Sequence, residues 1–86
     1  IITYNSAAWV ERAIRSCLGQ NLDTVVVDNA GTDDTLNIVR RHSSVRLIAN
    51  QQNRGFAAAA NQGIALLESD LVLLLNPDAE ILTTVD

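Results

Sequence analysis

The sequence predicts an α/β fold in which a mostly parallel sheet carries helices on both faces. Four short apolar runs recur along the 86 residues, and apolar residues at helical spacing lie between them. The resulting order, β-α-β-α-β-α-β, requires right-handed crossovers between parallel strands. The runs contain almost no polar residues, as expected for strands buried on both faces. We therefore predict one three-layer αβα domain over residues 1–86.

The first part of the chain predicts a strand, a helix and a second strand. The first strand ends at Thr3, and Ser6 is expected to cap a helix that stops at Gly19. Residues 25–27 are three consecutive valines, which predict the second strand. The polar turn 28–31 ends that strand abruptly.

The second part predicts two more helices and two more strands. Thr32 or Asp33 is expected to cap the second helix, and residues 45–48 form the third strand. A third helix is expected from Gly55, and residues 71–75 predict a fourth strand. One face of the third helix is expected to carry four apolar residues at helical spacing, namely Phe56, Ala60, Ile64 and Leu67.

Composition narrows the classes of function. The formal charge of −4 argues against a nucleic-acid partner, and the absence of lysine excludes mechanisms that need an amine. Uninterrupted apolar stretches such as residues 71–75 are far shorter than the roughly 20 residues that span a bilayer. The single cysteine, Cys17, fits a reducing compartment. We expect a cytoplasmic protein, at most peripheral at the cytoplasmic face of a membrane.

Two other α/β classes do not fit. A signalling receiver domain needs an acidic pair after its first strand and a lysine later, but Tyr4-Asn5 follows the strand here and lysine is absent. A dinucleotide-binding domain needs a G-x-G-x-x-G turn after its first strand. Residues 5–8, Asn-Ser-Ala-Ala, cannot form that turn.

Polar residues follow the predicted strands at their carboxyl ends. In parallel sheets these ends meet at one edge, where ligands bind. We therefore expect a site built from the residues that leave the first, second and fourth strands, which are Tyr4-Asn5, Asp28-Asn29 and Asn76-Pro77-Asp78.

Each candidate has a structural alternative. Asp28 is suited to accept a hydrogen bond from a ligand or from its own turn. Arg54, before the third helix, is suited to bind a phosphate or to remain a solvated loop residue. Asn61 is unexpected in the middle of a helix and would contact a neighbouring loop. Asp78 is a credible Mg²⁺ ligand only beside a diphosphate, and otherwise belongs to a turn.

Four segments together resemble the N-terminal half of a family 2 glycosyltransferase of the Rossmann-like GT-A fold. They are IITYN at 1–5, VVDNAGTD at 26–33, NRGFAAAANQGI at 53–64 and LLLNPD at 73–78. Each motif alone is weak, but their order and spacing are specific. The NPD form, with VDNAGTD and GFAAAANQGI, is most similar to the rhamnosyltransferase-like branch.

The resemblance implies roles for individual residues. Asp28 matches the aspartate that bonds the pyrimidine ring, and Asp78 matches the last acid of the DXD-type motif that binds Mg²⁺ or Mn²⁺. Ala60 stands where many relatives have an arginine, which leaves the phosphate charge to Arg54, the metal or residues outside this chain. The nucleotide-binding residues implied in this way are Thr3, Tyr4, Asn5, Asp28, Arg54, Asn61 and Asn76.

The resemblance also sets expectations for the whole protein. It implies transfer of a sugar from a UDP- or dTDP-linked donor to a saccharide or lipid-linked acceptor, in cell-wall or polysaccharide synthesis. No residue here matches the family's downstream general base, so we expect the 86 residues to be a partial domain that is inactive alone. The alternative is a non-catalytic module that binds nucleotide sugars.

Overall fold

The computed structural model describes residues 1–69 and 71–82, which form an α/β unit with three parallel strands. The strands lie in the order β1-β2-β3, and each pairs in parallel with the next. This confirms the predicted α/β architecture. The elements are β1 (Ile2–Thr3), α1 (Val10–Gly19), β2 (Val25–Asp28), α2 (Thr35–Arg40), β3 (Arg46–Ala49) and α3 (Phe56–Leu66).

Successive side chains of β2 serve two separate cores, because side chains alternate across a strand. Val26 packs in a cluster with residues of α1 and α2, whereas Val25 and Val27 pack against Ala59 of α3. The sheet is therefore covered by α1 and α2 on one face and by α3 on the other. This is the three-layer arrangement that the run of valines predicts.

The buried face of α3 agrees with the expected one only in part. Phe56 and Ile64 are exposed, whereas Ala60 is buried as expected, together with Ala59 and Gly63. Leu67, directly after the helix, is partly buried against the same core cluster. A Cβ atom at Gly63 would lie 3.3 Å from Cγ2 of Val27, so this glycine permits close approach to the sheet. Small residues allow the helix backbone to lie near β2, and its large side chains are left on the outer surface.

The predicted fourth strand does not form. Residues 71–75 have no strand pairing, and Leu71 is 87% exposed. An apolar run becomes a strand only when a partner offers backbone donors and acceptors. The edge next to this segment is β1, which has only two paired residues. Residues 71–75 instead line an apolar crevice beside Ile1 and Ile2.

Two helix starts also differ from the expected positions. Ser6 does not cap α1, because Trp9 occupies the cap position. The Ser6 hydroxyl accepts the N–H of Tyr4, and the Ser6 carbonyl accepts the N–H of Val10, the first residue of the helix. At α2 the residue in the cap position is Asp34, although the Asp33 side chain accepts a helix N–H. Within residues 1–69 and 71–82, no helix is both long enough and apolar enough to cross a membrane.

Candidate functional site

The carboxyl ends of β1 and β2 are joined by a buried hydrogen bond. Thr3 and Asp28 are register partners, and the Thr3 hydroxyl donates to Oδ1 of Asp28 at 2.6 Å. Oδ2 of Asp28 accepts the backbone N–H of Gly31 at 3.1 Å. The turn contact that the sequence left open is therefore present. Each oxygen keeps a second lone pair for a ligand, but Asp28 is 1% exposed and offers little surface in this conformation.

Asn5 fastens the loop after β1 to the loop after β2. Its Oδ1 accepts the backbone N–H groups of Thr32 at 2.7 Å and Asp33 at 3.2 Å. Its φ of 50° lies in the left-handed region, where asparagine is tolerated better than most residues. A Cβ at Gly31 would lie 2.8 Å from the backbone N of Asn5, so only glycine fits there. The two strand ends are thus tied by both side chains and backbone.

Asp33 extends the same network to α1 and α2. Its Oδ1 accepts the Thr35 hydroxyl at 2.5 Å and the Thr35 N–H at 3.0 Å, and its Oδ2 accepts the N–H of Ala7 at 2.9 Å. The hydrogen bond from the Thr35 hydroxyl, helped by these backbone N–H groups, holds the pKa of Asp33 below its usual value. Asp33 therefore has a structural role at the helix start.

The other side of the edge is built by Asn29. It follows Asp28 directly, is 3% exposed and uses both ends of its amide. Its Nδ2 donates to the carbonyl of Gly55 at 3.2 Å, and its Oδ1 accepts the N–H of Arg54 at 3.3 Å. Oδ1 also accepts Nδ2 of Asn50 at 3.1 Å. Asn50 and Gln62 in turn exchange two amide hydrogen bonds, at 2.8 and 2.9 Å.

The sequence placed Asn29 at this edge without a role of its own, and it did not single out Asn50 or Gln62. The alternation of side chains could have indicated that Asn29 and Asn50 share one face of the sheet, because Asn29 lies two residues after Val27 and Asn50 two residues after Ile48. Val27 and Ile48 both face α3. Asn61 was expected to contact a loop, but it is exposed, and its neighbour Gln62 makes the loop contact instead.

Tyr4 and Arg54 are exposed at the same edge. Tyr4 follows β1, and 56% of it is accessible to solvent. Arg54 precedes α3, and within residues 1–69 and 71–82 its guanidinium makes no ion pair. An aromatic ring and a free cation are therefore available to a ligand there.

Asn76 and Asp78 are both exposed and lie in one turn, in which the N–H of Ala79 donates to the carbonyl of Asn76 at 3.0 Å. Among the residues that the structure describes, no three His, Cys, Asp or Glu side chains are grouped as metal ligands. Asp78 is accessible, and any ion that it bound would need ligands from a substrate.

Polar residues gathered at the carboxyl ends of parallel strands are typical of α/β domains that bind ligands at this edge. The family model described as "Glycosyl transferase family 2" matches residues 1–84. The chain belongs to this family.

Several curated proteins are similar to the chain. It is 37% identical over 83 residues to the succinoglycan biosynthesis protein ExoO of Rhizobium meliloti, covering 91% of this chain and 24% of that protein. It is 32% identical over 85 residues to chondroitin synthase of Escherichia coli, covering 91% and 12%. It is 27% identical over 89 residues to the E. coli UDP-Glc:alpha-D-GlcNAc-diphosphoundecaprenol beta-1,3-glucosyltransferase WfaP, covering 98% and 36%. The chain spans between 12% and 36% of the length of these relatives.

Proposed function

We propose that the chain is the donor-binding part of a glycosyltransferase that moves a sugar from a nucleotide sugar to an acceptor hydroxyl. The observation that carries the proposal is the junction of Thr3, Asp28 and Asn5 at the carboxyl ends of β1 and β2, in a chain of glycosyl transferase family 2. Such edges are where open α/β sheets bind ligands.

The site suits a nucleoside diphosphate. The exposed ring of Tyr4 offers a surface on which a base can stack. A lone pair of Asp28 can accept a hydrogen bond from a base N–H if the turn at residues 28–31 opens to expose the carboxylate. The exposed Arg54 supplies a positive charge for phosphate. Asn61 and Asn76 remain predicted contacts.

The relatives support a role in polysaccharide synthesis. One is named for succinoglycan biosynthesis and another as a chondroitin synthase, and WfaP is named for a UDP-linked glucose donor and a diphosphoundecaprenol acceptor. We extend this to a hexosyl donor linked to UDP or dTDP, with the rhamnosyltransferase-like branch as the finer assignment. The acceptor is a saccharide or a lipid-linked saccharide. A cytoplasmic location, or one at the cytoplasmic face of the membrane, stays a prediction.

We propose that Mg²⁺ or Mn²⁺ assists. Asp78 fits as a single, exposed carboxylate ligand, because Mg²⁺ commonly takes one or two protein carboxylates and completes its shell with substrate phosphates and water. When bound, the ion would neutralise charge on the leaving diphosphate. The acceptor oxygen would bond to the anomeric carbon as the bond to the diphosphate oxygen breaks, and its proton would pass to a base that no residue of this chain matches.

The proposal is tested by calorimetric titration of the full-length protein with UDP-glucose and dTDP-rhamnose, with and without Mn²⁺. We expect one of them to bind with metal present, and we expect sugar transfer to an acceptor to follow. Absence of binding by both donors in the presence of Mn²⁺ would contradict the proposal. Binding without transfer to any acceptor would favour the alternative, a non-catalytic nucleotide-sugar-binding module.

A further inference from the structure

The residue after Asp28 has contacts that the proposed donor site does not explain. Asn29 is buried, and its amide makes three hydrogen bonds to residues 21 to 26 positions away in the chain. A buried amide needs hydrogen-bond partners, but nothing requires those partners to be distant in the chain. Here all three partners belong to the segment that runs from the end of β3 to the start of α3, which is residues 50–55.

Side-chain alternation divides the work between neighbouring residues. Asp28 follows Val26 on the face covered by α1 and α2, and it binds Thr3 and Gly31. Asn29 follows Val27 on the face covered by α3. Two consecutive side chains at the carboxyl end of β2 therefore contact different parts of the proposed site. Asp28 contacts the loop after β1 and its own turn, and Asn29 contacts the segment before α3.

Asn29 contacts the segment 50–55, which carries the exposed positive charge of Arg54. Arg54 and Gly55 are the last residues before α3, and Asn29 contacts the backbone of both. Gly55 has a φ of 81°, a conformation in which most other residues would be strained. The side chain of Asn53 accepts the N–H of Gly55 at 2.8 Å, so this corner is fixed from both directions.

A second pair of amides braces Asn29. Asn50 donates to Asn29 and also exchanges two hydrogen bonds with Gln62, one turn before the end of α3. The backbone N–H of Asn50 donates to the carbonyl of Asp28 at 2.9 Å. The network thus links the loops that follow β2 and β3 to α3.

We infer that Asn29, braced by Asn50 and Gln62, is a positioning residue that fixes Arg54 relative to Asp28. This rests on the proposed function, in which Asp28 contacts the base and Arg54 the diphosphate. Asn29 touches neither ligand group. It sets the distance between the two groups that do, so that both contacts form in one binding event without ordering the loop anew.

The test compares two ligands that differ only in phosphate. Calorimetry on the full-length protein measures the affinity of UDP and of uridine for wild type and for Asn29→Ala. We expect UDP to bind about tenfold more weakly to the variant, and uridine to change less than about twofold. A merely structural role would weaken both ligands equally, and that result would overturn the inference. The matched control is Asn37→Ala, because Asn37 has one exposed hydrogen bond on α2 and should leave both affinities unchanged.

A double-mutant cycle with Arg54→Ala tests whether Asn29 affects UDP binding through Arg54. If Asn29 acts through Arg54, then Asn29→Ala should weaken UDP binding less than about twofold once Arg54 is already alanine. An undiminished tenfold loss in that background would overturn the inference.

The remaining outcomes also support or overturn the inference. If circular dichroism shows that Asn29→Ala does not fold, Gln62→Ala takes its place. This substitution removes the hydrogen bonds between Gln62 and Asn50, and Gln62 is only half-buried on α3. A preferential loss of UDP affinity supports the inference, and an unchanged ratio of the two affinities overturns it. A wild-type protein that binds neither UDP nor uridine overturns the proposed function and this inference together, whereas normal wild-type binding with unchanged variants overturns the inference alone.

Discussion

At Gly31, the addition of a single methyl group should lower the stability of the fold substantially. A Cβ atom there would lie 2.8 Å from the backbone N of Asn5 and 2.9 Å from its Oδ1, closer than such atoms approach in proteins. The obstacle is backbone, which cannot rotate away. The second obstacle, the side-chain Oδ1 of Asn5, is also the acceptor for the N–H groups of Thr32 and Asp33. Gly31→Ala therefore strains the junction between the loops after β1 and β2.

The magnitude follows from three contributions. Overpacking of this kind costs about 1–3 kcal/mol, and weakening the hydrogen bonds to Asn5 adds about 0.5–1.5 kcal/mol for each one lost. Replacing glycine also stiffens the unfolded chain, which returns about 0.4–1 kcal/mol. With one of the two bonds lost, we expect Gly31→Ala to lower the free energy of unfolding by about 2 kcal/mol.

Urea unfolding followed by circular dichroism measures this loss, and Gly19→Ala is the control. Gly19 ends α1, and a Cβ there would meet nothing within 4 Å. Since alanine is a better helix former, this control should be neutral or up to about 1 kcal/mol more stable. Equal free energies of unfolding for Gly31→Ala and Gly19→Ala would refute the steric argument.

Three more predictions concern the polar residues of the chain. Thr3→Val removes the donor to buried Asp28, so thermal unfolding should show a loss of about 1–3 kcal/mol, whereas Thr3→Ser keeps the hydroxyl and should stay near wild type. Asp33 has a folded-state pKa below its usual 3.8, so its stabilisation is present above that value and is lost as the pH falls through the lower, folded-state value. Asp33→Asn should therefore flatten the acid limb of a stability–pH curve. Asp78→Ala should leave the free energy of unfolding unchanged, because Asp78 is exposed, while abolishing metal-dependent sugar transfer by the full-length protein.

Each of these has a contrary result. A Thr3→Val protein as stable as wild type would mean that the Asp28 carboxylate does not depend on this hydroxyl. An acid limb unaltered by Asp33→Asn would remove the hydrogen bonds of Asp33 from the pH dependence. Unchanged turnover in Asp78→Ala would remove Asp78 from the proposed metal site.

The sequence was sufficient for the architecture because each strand and helix carried a local signal. Three valines at 25–27 identified a strand buried on both faces, and the polar turn after them located its end. The family resemblance lay in the same strand ends and loops, and the match over residues 1–84 agrees with it. The prediction failed for residues 71–75, where an apolar run alone was taken to indicate a strand. Residues 71–75 are as apolar as β2, but β1 offers them an edge of only two paired residues.

The site was predicted less completely than the fold. Thr3, Asn5 and Asp28 were expected together, and they are joined by side-chain and backbone hydrogen bonds. Their roles toward a nucleotide stay predictions, as do those of Arg54 and Asp78. Asn61 and Gln62 show why: two adjacent amides on a helix differ by about 100° in direction, and the sequence gives no origin for that rotation until the helix is packed.

What the sequence by itself determined was which residues reach the carboxyl edge of the sheet, since strand ends follow from hydrophobic runs and turns. What only the tertiary structure decided was which partners those residues meet there. Asn29 bonds Gly55, 26 positions away, because the small residues of α3 let that helix lie close on β2. Packing distance between layers is a property of many side chains at once, so no local pattern contains it.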